Sequence, residues 1–239
     1  NAPERNADGS RHLAFEDDRL EPEVLMNSGY VQTKWVGEEI VRLAAAQGVP
    51  VSIYRPGLIT GDIVTGACAT EDAFWNMVRA IVALGMIPDV AQHGGVAMTP
   101  VNYVASALVA LALKPESWGG TYNLVAQRDA QMVDLEEQLR VHGFGLRSAS
   151  IDEFGLELFT TAERLSAVGD DSLMRAMLVA TQFADGVAGT TVYDDGNTRA
   201  ALEGTGVECP VVGPEILNRY VAYYASVGFF KALGEENAG

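Results

Sequence analysis

Cysteine and histidine are scarce in this sequence. The 239 residues include three scattered histidines and two cysteines, Cys68 and Cys209, which lie far apart without a Cys-x-x-Cys spacing. This usage argues against a disulfide framework and against a zinc site. It favours a reducing compartment, so we expect a cytoplasmic protein.

Positive charge and long apolar runs are scarce as well. Sixteen lysine and arginine residues stand against thirty-two acidic residues, for a net charge of −16. Such a surface would repel phosphates over most of its area, so we expect no nucleic-acid partner. The longest nearly apolar stretch, residues 103–111, is interrupted by Ser106 and is far shorter than the ~20 residues of a membrane span. We therefore expect no membrane insertion.

Apolar residues nevertheless make up 48% of the chain, which is enough for a sizeable core. Residues 28–48 have helical periodicity and end in a Gly-Val-Pro turn, and residues 51–57, VSIYRPG, are typical of a buried strand. This succession of helix, short turn and buried strand indicates a doubly wound α/β sheet.

The remaining patterns predict further elements. We predict helices at residues 71–88, at 99–113, at several places between 131 and 184, and at 214–230. We predict a strand at 119–126, a loop at 57–70, and a loop or arm at 1–27. The apolar stripe predicted for the helix at 99–113 comprises Val101, Val104, Leu108 and Leu111.

The stretch GYVQTKWVGEE, residues 29–39, places Tyr30 one helical turn before Lys34, so the two side chains share a face. A phenol is a weak acid at neutral pH, but an ammonium about 5 Å away stabilises its anion by roughly 3 kcal/mol at an effective dielectric near 20. The pair is therefore a sensible proton donor to a carbonyl that is being reduced by hydride. Coincidence is the alternative, because three lysines and eight tyrosines produce this spacing by chance with a likelihood of about 0.1.

The order of several motifs adds to this pair. Residues 29–62, GYVQTKWVGEEIVRLAAAQGVPVSIYRPGLITGD, resemble the active-site helix and following strand of extended short-chain dehydrogenases/reductases. They are most similar to the thioester reductase domains that end nonribosomal peptide and polyketide synthases, and to carboxylic acid and aminoadipate reductases. Residues 98–113 and 120–126 resemble the next helix and strand of that family, and residues 193–230 resemble its C-terminal end.

The resemblance implies a fold and a role for each matching residue. Residues 1–125 would form the later part of a Rossmann-type NAD(P)-binding domain, and residues 126–239 a mostly helical lobe that faces the substrate. Tyr30 would protonate the reduced carbonyl oxygen, and Lys34 would hold the nicotinamide ribose and make the tyrosine a stronger acid. Both would thus contact NADPH. The nicotinamide would lie along four consecutive residues, Pro56, Gly57, Leu58 and Ile59.

The resemblance also implies a reaction and a partner. The substrate would be an acyl or peptidyl thioester on a phosphopantetheinylated carrier protein, released as an aldehyde or an alcohol. Two alternatives stay open: a non-catalytic module that docks a carrier protein, and a nucleotide-sugar epimerase or dehydratase of the same superfamily. The stretch NTRAALEGTGV, residues 197–207, favours the reductase over the epimerase.

Two features of the family are missing from this sequence. None of the 25 glycines has the spacing G-x-G-x-x-G or G-x-x-G-x-x-G, whose backbone amides would hold the cofactor pyrophosphate. Ser10 and Ser28, the serines ahead of Tyr30, lack the spacing of the family's catalytic hydroxyl residue. We therefore expect the C-terminal part of a reductase domain without the first strands of its sheet, inactive by itself. An exposed sheet edge would favour self-association.

Overall fold

The computed structural model describes residues 12–19, 29–89, 94–167 and 191–230. The helices in these ranges are α1 (Gly29–Ala46), α2 (Ala73–Leu84), α3 (Val101–Leu113), α4 (Met132–Val141), α5 (Ile151–Ser166), α6 (Gly196–Leu202) and α7 (Pro214–Ser226). A short 3₁₀ turn, Pro115–Ser117, follows α3. None of the helices in the described ranges combines the length and the apolar character that a bilayer crossing demands.

The strands lie between these helices. They are β1 (His12–Ala14), β2 (Ile53–Pro56), β3 (Leu58–Thr60), β4 (Met86–Pro88), β5 (Gly95–Val96), β6 (Met98–Pro100), β7 (Thr121–Leu124), β8 (Ala130–Gln131), β9 (Arg147–Ala149) and β10 (Thr191–Tyr193). The pairs β1–β10, β2–β7 and β4–β9 are parallel, β5–β8 is antiparallel, and β3 pairs with β6. Helices that alternate with parallel strands confirm the predicted α/β fold class.

The chain forms two compact units, each assembled from three segments. The first unit contains residues 1–59, 97–128 and 189–211, and the second contains residues 60–96, 129–188 and 212–239. The expected division at residues 125 and 126 into a Rossmann-type part and a helical lobe remains a prediction.

The core of the first unit lies where α3 packs against β7 and α6. Four residues of α3 are buried there: Tyr103, Val104, Ala107 and Leu111. The stripe predicted from the sequence is therefore correct for Val104 and Leu111 but wrong for Val101 and Leu108, which are 40% and 41% exposed. Because the buried residues Tyr103, Ala107 and Leu111 recur every four positions, the buried face of α3 is centred on them and not on Leu108.

The second unit has a core of its own, built by α2, β4, β9 and α5. The Asp72 side chain caps α2 by accepting a hydrogen bond from Trp75 N at 3.0 Å, and Gly85 ends the helix with φ of 63°. The helix predicted over 71–88 is therefore too long, because residues 86–88 leave it and pair with β9. The final helix, predicted over 214–230, is present as α7 but ends at Ser226; its buried residues are Leu217, Tyr220, Val221 and Tyr224.

Two segments predicted as loops contain strands. Residues 12–14, within the predicted arm, form β1 and pair with β10, and residues 58–60, within the predicted loop, form β3. Both strands are three residues long, and their pairing partners lie far away in the sequence. Because so short a strand is stabilised by its partner, local periodicity does not reveal it.

Candidate active site

Tyr30 and Lys34 lie together in the first two turns of α1. The Lys34 Nζ atom lies over the Tyr30 ring, 5.3 Å from its centroid. The Tyr30 side chain is 68% exposed, and Lys34 is exposed as well. The predicted pairing on one helix face is present, with an ammonium held against a phenol that is open to solvent.

Helix α1 is tied to the end of β2 through Glu38 and Arg55. Arg55 Nε donates to Glu38 Oε2 at 2.9 Å, and Arg55 Nη2 donates to Glu38 Oε1 at 2.6 Å. Glu38 follows Lys34 by one helical turn, and Arg55 directly precedes Pro56. The helix that carries the Tyr30–Lys34 pair is thus fixed to the strand that leads into residues 56–59.

Sequence reasoning missed both members of this ion pair. The signal for Glu38 was its spacing of four from Lys34, which puts it on the same face of α1. The signal for Arg55 was its position directly before residues 56–59, which the resemblance assigns to the nicotinamide site. Neither signal identifies the other as its partner, because the two residues are 17 positions apart.

The segment that carries Glu16 is part of the same unit. The Arg55 guanidinium also donates to the backbone carbonyls of Glu16 and Asp18, each at 3.1 Å. The Glu16 carboxylate is buried and accepts from the backbone amide of Asn123 at 2.8 Å. This segment therefore connects β2, through Arg55, with β7, through Asn123. The prediction of a loop or arm at residues 1–27 does not include this role.

Gly57 follows β2 and packs closely against β6 and against Val125, the residue after β7. A Cβ atom on Gly57 would lie 3.1 Å from Thr99 Oγ1 and 3.4 Å from Val125 Cγ1. The buried Thr99 hydroxyl in turn accepts a hydrogen bond from Ala126 N at 3.1 Å. A glycine at this position lets a flat ligand approach the backbone, and it also leaves room for the Thr99 side chain. The neighbouring Pro56 and Ile59 are exposed, and Leu58 is half-buried.

Cys68 and Trp75 lie in the second unit. Burial raises the pKa of the Cys68 thiol to about 12, so the thiol is not poised for nucleophilic chemistry. Trp75 is buried, and its ring packs against Tyr220 and Tyr224. His93 lies outside the described residues. Within the described ranges, no cluster of three His, Cys, Asp or Glu side chains is suited to a metal ion.

Comparison with known proteins places these residues in a family. The NAD-binding family model described as male sterility protein matches residues 3–108. A linear gramicidin synthase of Brevibacillus parabrevis is 33% identical over 215 residues, which cover 89% of this chain. The crystal structure of the terminal R domain from the myxalamid PKS-NRPS biosynthetic pathway superposes with a TM-score of 0.80 at 35% identity over 94% of this chain.

The chain is homologous to reductase domains of nonribosomal peptide synthetases, and its structural neighbours are terminal R domains of the extended short-chain dehydrogenases/reductases. The L-2-aminoadipate reductase large subunit of Eremothecium gossypii is similar too, at 32% identity over 159 residues or 65% of this chain. A nucleoside-diphosphate-sugar epimerase from Pseudomonas aeruginosa, with a TM-score of 0.52 and 22% identity, shares the fold alone.

The chain spans only part of each of these relatives. It covers 56% of the myxalamid R-domain chain, 4% of the gramicidin synthase and 11% of the aminoadipate reductase. The matching family model is that of an NAD-binding family, whose cofactor is a nicotinamide dinucleotide. The residues of this chain would suit the nicotinamide end of such a cofactor. Tyr30 and Lys34 offer a hydroxyl and an ammonium to a ribose or a carbonyl oxygen. The pyrophosphate end lacks a counterpart, because none of the 25 glycines has the fingerprint spacing.

Proposed function

We propose that this chain is part of an NADPH-dependent thioester reductase, which releases a carrier-bound acyl or peptidyl chain as an aldehyde or an alcohol. The observation that carries the proposal is the exposed Tyr30–Lys34 pair on a helix tied to β2 by Arg55. The terminal R domain and the gramicidin synthase, at 35% and 33% identity, support this substrate class.

NADPH, when bound, supplies a hydride to the carbonyl carbon of the thioester. Tyr30 donates its phenolic proton to the carbonyl oxygen as negative charge develops there. Hydride and proton together give a hemithioacetal, whose C–S bond then breaks to leave an aldehyde and the free thiol of the phosphopantetheine arm. A second addition of hydride and proton gives the alcohol. The Lys34 ammonium lies next to the group that gives up each proton, 5.3 Å from the centroid of the Tyr30 ring.

The other site residues would contact the cofactor. Lys34 would hold the nicotinamide ribose, and the backbone of residues 56–59 would hold the nicotinamide. Since the glycine fingerprint is not among these 239 residues, we expect the chain by itself to bind NADPH weakly or not at all. Titration with NADPH, followed through the fluorescence of the three tryptophans, measures this. Saturable micromolar binding would contradict the expectation.

The partner in this proposal is a phosphopantetheinylated carrier protein. An archaeal thiolation-reductase di-domain has the same fold, with a TM-score of 0.70 at 20% identity. Self-association of the chain is proposed separately, because α1 exposes Ile40 and Leu43 by 61% and 67%. Sedimentation that shows only a compact monomer would contradict self-association and leave the carrier-protein proposal untouched.

The decisive experiment is a turnover assay on the complete native polypeptide that contains this chain. The substrate is an acyl-pantetheine thioester with NADPH, and both nicotinamide oxidation and the released aldehyde or alcohol are measured. Tyr30→Phe is expected to lower kcat by about 10²- to 10⁴-fold, because the proton donor is removed. The matched control is Tyr193→Phe, which removes a hydroxyl from another exposed tyrosine of the same unit and should leave kcat within about twofold of wild type.

The variants also separate the reductase from a docking module. Wild-type kcat in Tyr30→Phe would contradict the proposed chemistry. A wild-type protein that binds the carrier protein without consuming NADPH would support the non-catalytic docking alternative instead.

A further inference from the structure

Arg55 joins three segments of the first unit. Its guanidinium holds the Glu38 carboxylate of α1 with two donors, at 2.9 and 2.6 Å. It also holds the backbone carbonyls of Glu16 and Asp18, each at 3.1 Å. Arg55 itself belongs to β2 and directly precedes Pro56. One side chain therefore connects the β2 end with α1 and with the segment after β1.

Arg42 binds the same carboxylate in a different way. Arg42 Nη2 donates to Glu38 Oε1 at 2.8 Å, and Arg42 Nε donates to the same oxygen at 3.2 Å. Arg42 lies one turn after Glu38 on α1, so this pair connects the helix only to itself. Two arginines thus bind the same Glu38 carboxylate. Arg55 connects β2 to α1, whereas Arg42 binds within α1.

Apolar packing holds α1 only weakly, so a polar connection can determine its position. None of the α1 side chains is fully buried, whereas α3 and α7 each have four buried residues. Glu38 and Arg55 are both half-buried, with 22% and 25% of their side chains exposed. A directional, two-donor ion pair in this partly desolvated place fixes the rotation of the helix about its own axis better than partial apolar contacts do.

The Glu38 carboxylate remains charged in this surrounding. Burial by itself would raise the pKa of Glu38, but hydrogen bonds and the charges of Arg55 and Arg42 outweigh it and lower the pKa below its ordinary value. The connection between α1 and β2 is therefore intact throughout the neutral pH range.

We propose that Arg55 is a positioning residue, which holds the rotation and register of α1 so that the Tyr30 hydroxyl and the Lys34 ammonium face the residues after β2. This inference rests on the proposed reductase function. Arg55 does not touch the reacting atoms; it acts through Glu38, one helical turn from Lys34. Losing the two-donor geometry would turn α1 and separate the proton donor from the carbonyl that it serves.

The test compares Arg55→Lys with Arg42→Lys in the complete native polypeptide. Each variant keeps a positive charge and removes the planar fork from Glu38. We expect Arg55→Lys to lower kcat for an acyl-pantetheine thioester by about tenfold with a much smaller change in KM. We expect Arg42→Lys to stay within about twofold of wild type, because it leaves α1 attached to β2. Circular dichroism at the assay temperature measures the folded fraction.

A double-mutant cycle separates positioning from a merely structural role. If Arg55 acts by placing Tyr30, Arg55→Lys loses its effect on the residual rate in a Tyr30→Phe background, since there is no proton donor left to place. A general loss of structure would lower the rate to the same extent in both backgrounds. If Arg55→Lys does not fold, Glu38→Gln tests the same connection from the helix side and leaves the Arg55 bonds to the two carbonyls in place.

Each outcome decides one of the two proposals. Wild-type protein that fails to reduce the thioester with NADPH overturns the proposed function and this inference with it. Active wild type with equal kcat in Arg55→Lys and Arg42→Lys overturns the inference alone. The same holds if Arg55→Lys lowers the rate equally with and without Tyr30.

Discussion

The Glu16 carboxylate accepts hydrogen bonds from both the backbone amide and the hydroxyl of Thr198, at 3.1 and 2.6 Å, although Thr198 lies 182 residues later in the chain. The backbone amides of Asn123 and Asn197 donate to the same carboxylate. Glu16 is 1% exposed, so these donors replace water around a buried charge. A residue of the predicted arm is thereby fixed between β7 and α6.

We predict that Glu16→Gln destabilises the protein by about 2–3 kcal/mol. The glutamine NH₂ group would have to face backbone amides that are themselves donors, and buried donors would lose their acceptor. Urea unfolding of the variant measures this change. The control is Asp17→Asn, the same chemical change at the adjacent exposed position, which should stay within about 0.5 kcal/mol of wild type. Equal unfolding midpoints for the two variants would contradict the role of Glu16.

Gly66 and Gly204 allow backbone conformation and close packing to be separated. Both have positive φ, 75° and 77°. A Cβ atom on Gly66 would lie 2.2 Å from the Arg219 carbonyl oxygen, whereas one on Gly204 would meet nothing within 4 Å. We predict that Gly204→Ala costs about 1–2 kcal/mol, the strain of a left-handed residue, and that Gly66→Ala costs at least about 3 kcal/mol. Thermal or urea unfolding measures both losses of unfolding free energy. Similar losses in the two variants would contradict the prediction, because the backbone around Gly66 would then shift to make room for the Cβ atom.

The two thiols are predicted to react slowly in the folded protein. Burial, the main cause, raises the pKa of Cys68 to about 12 and that of Cys209 to about 11. At pH 8 both thiols are then almost entirely protonated, so both should react far more slowly in the folded protein than in urea. An aromatic disulfide reagent on Cys68→Ser and Cys209→Ser, each keeping one thiol, measures both rates. Native rates as fast as those in urea would contradict the prediction.

The Glu38 ion pairs are predicted to contribute stability at neutral pH and to lose it in acid. The folded-state pKa of Glu38 lies below its ordinary value of 4.5, because bonding to Arg55 and Arg42 outweighs burial. A lowered pKa means that the carboxylate stabilises the fold above the unfolded-state value, and that this contribution disappears as the pH falls through the folded-state pKa. Wild type should therefore exceed Glu38→Gln in unfolding free energy at pH 7, and the gap should close as the pH falls below 4.5 and through the folded-state pKa. A gap that does not change with pH would contradict this assignment.

Sequence reasoning reached the parts of the site that are close together in the chain. Tyr30 and Lys34 were placed on one face because a spacing of four is a property of any α-helix, and α1 and β2 followed from periodicity and a Gly-Val-Pro turn. Sequence reasoning failed for residues whose contact partners are far away in the chain. The Glu38–Arg55 pair, the strand at residues 12–14 and the exposed positions of Val101 and Leu108 depend on which elements become neighbours.

The α/β class, the helix that carries Tyr30 and Lys34, and the family that the chain resembles could all be predicted from the sequence. These depend on local hydrogen bonds and on the order of motifs, which the chain carries whatever its surroundings. In contrast, three features depend on long-range packing: Arg55 holds α1, Thr99 lies in the space beside Gly57, and Glu16 is buried. A buried charge or a close backbone approach is stable only when distant segments supply its donors and its space, and no local pattern encodes them.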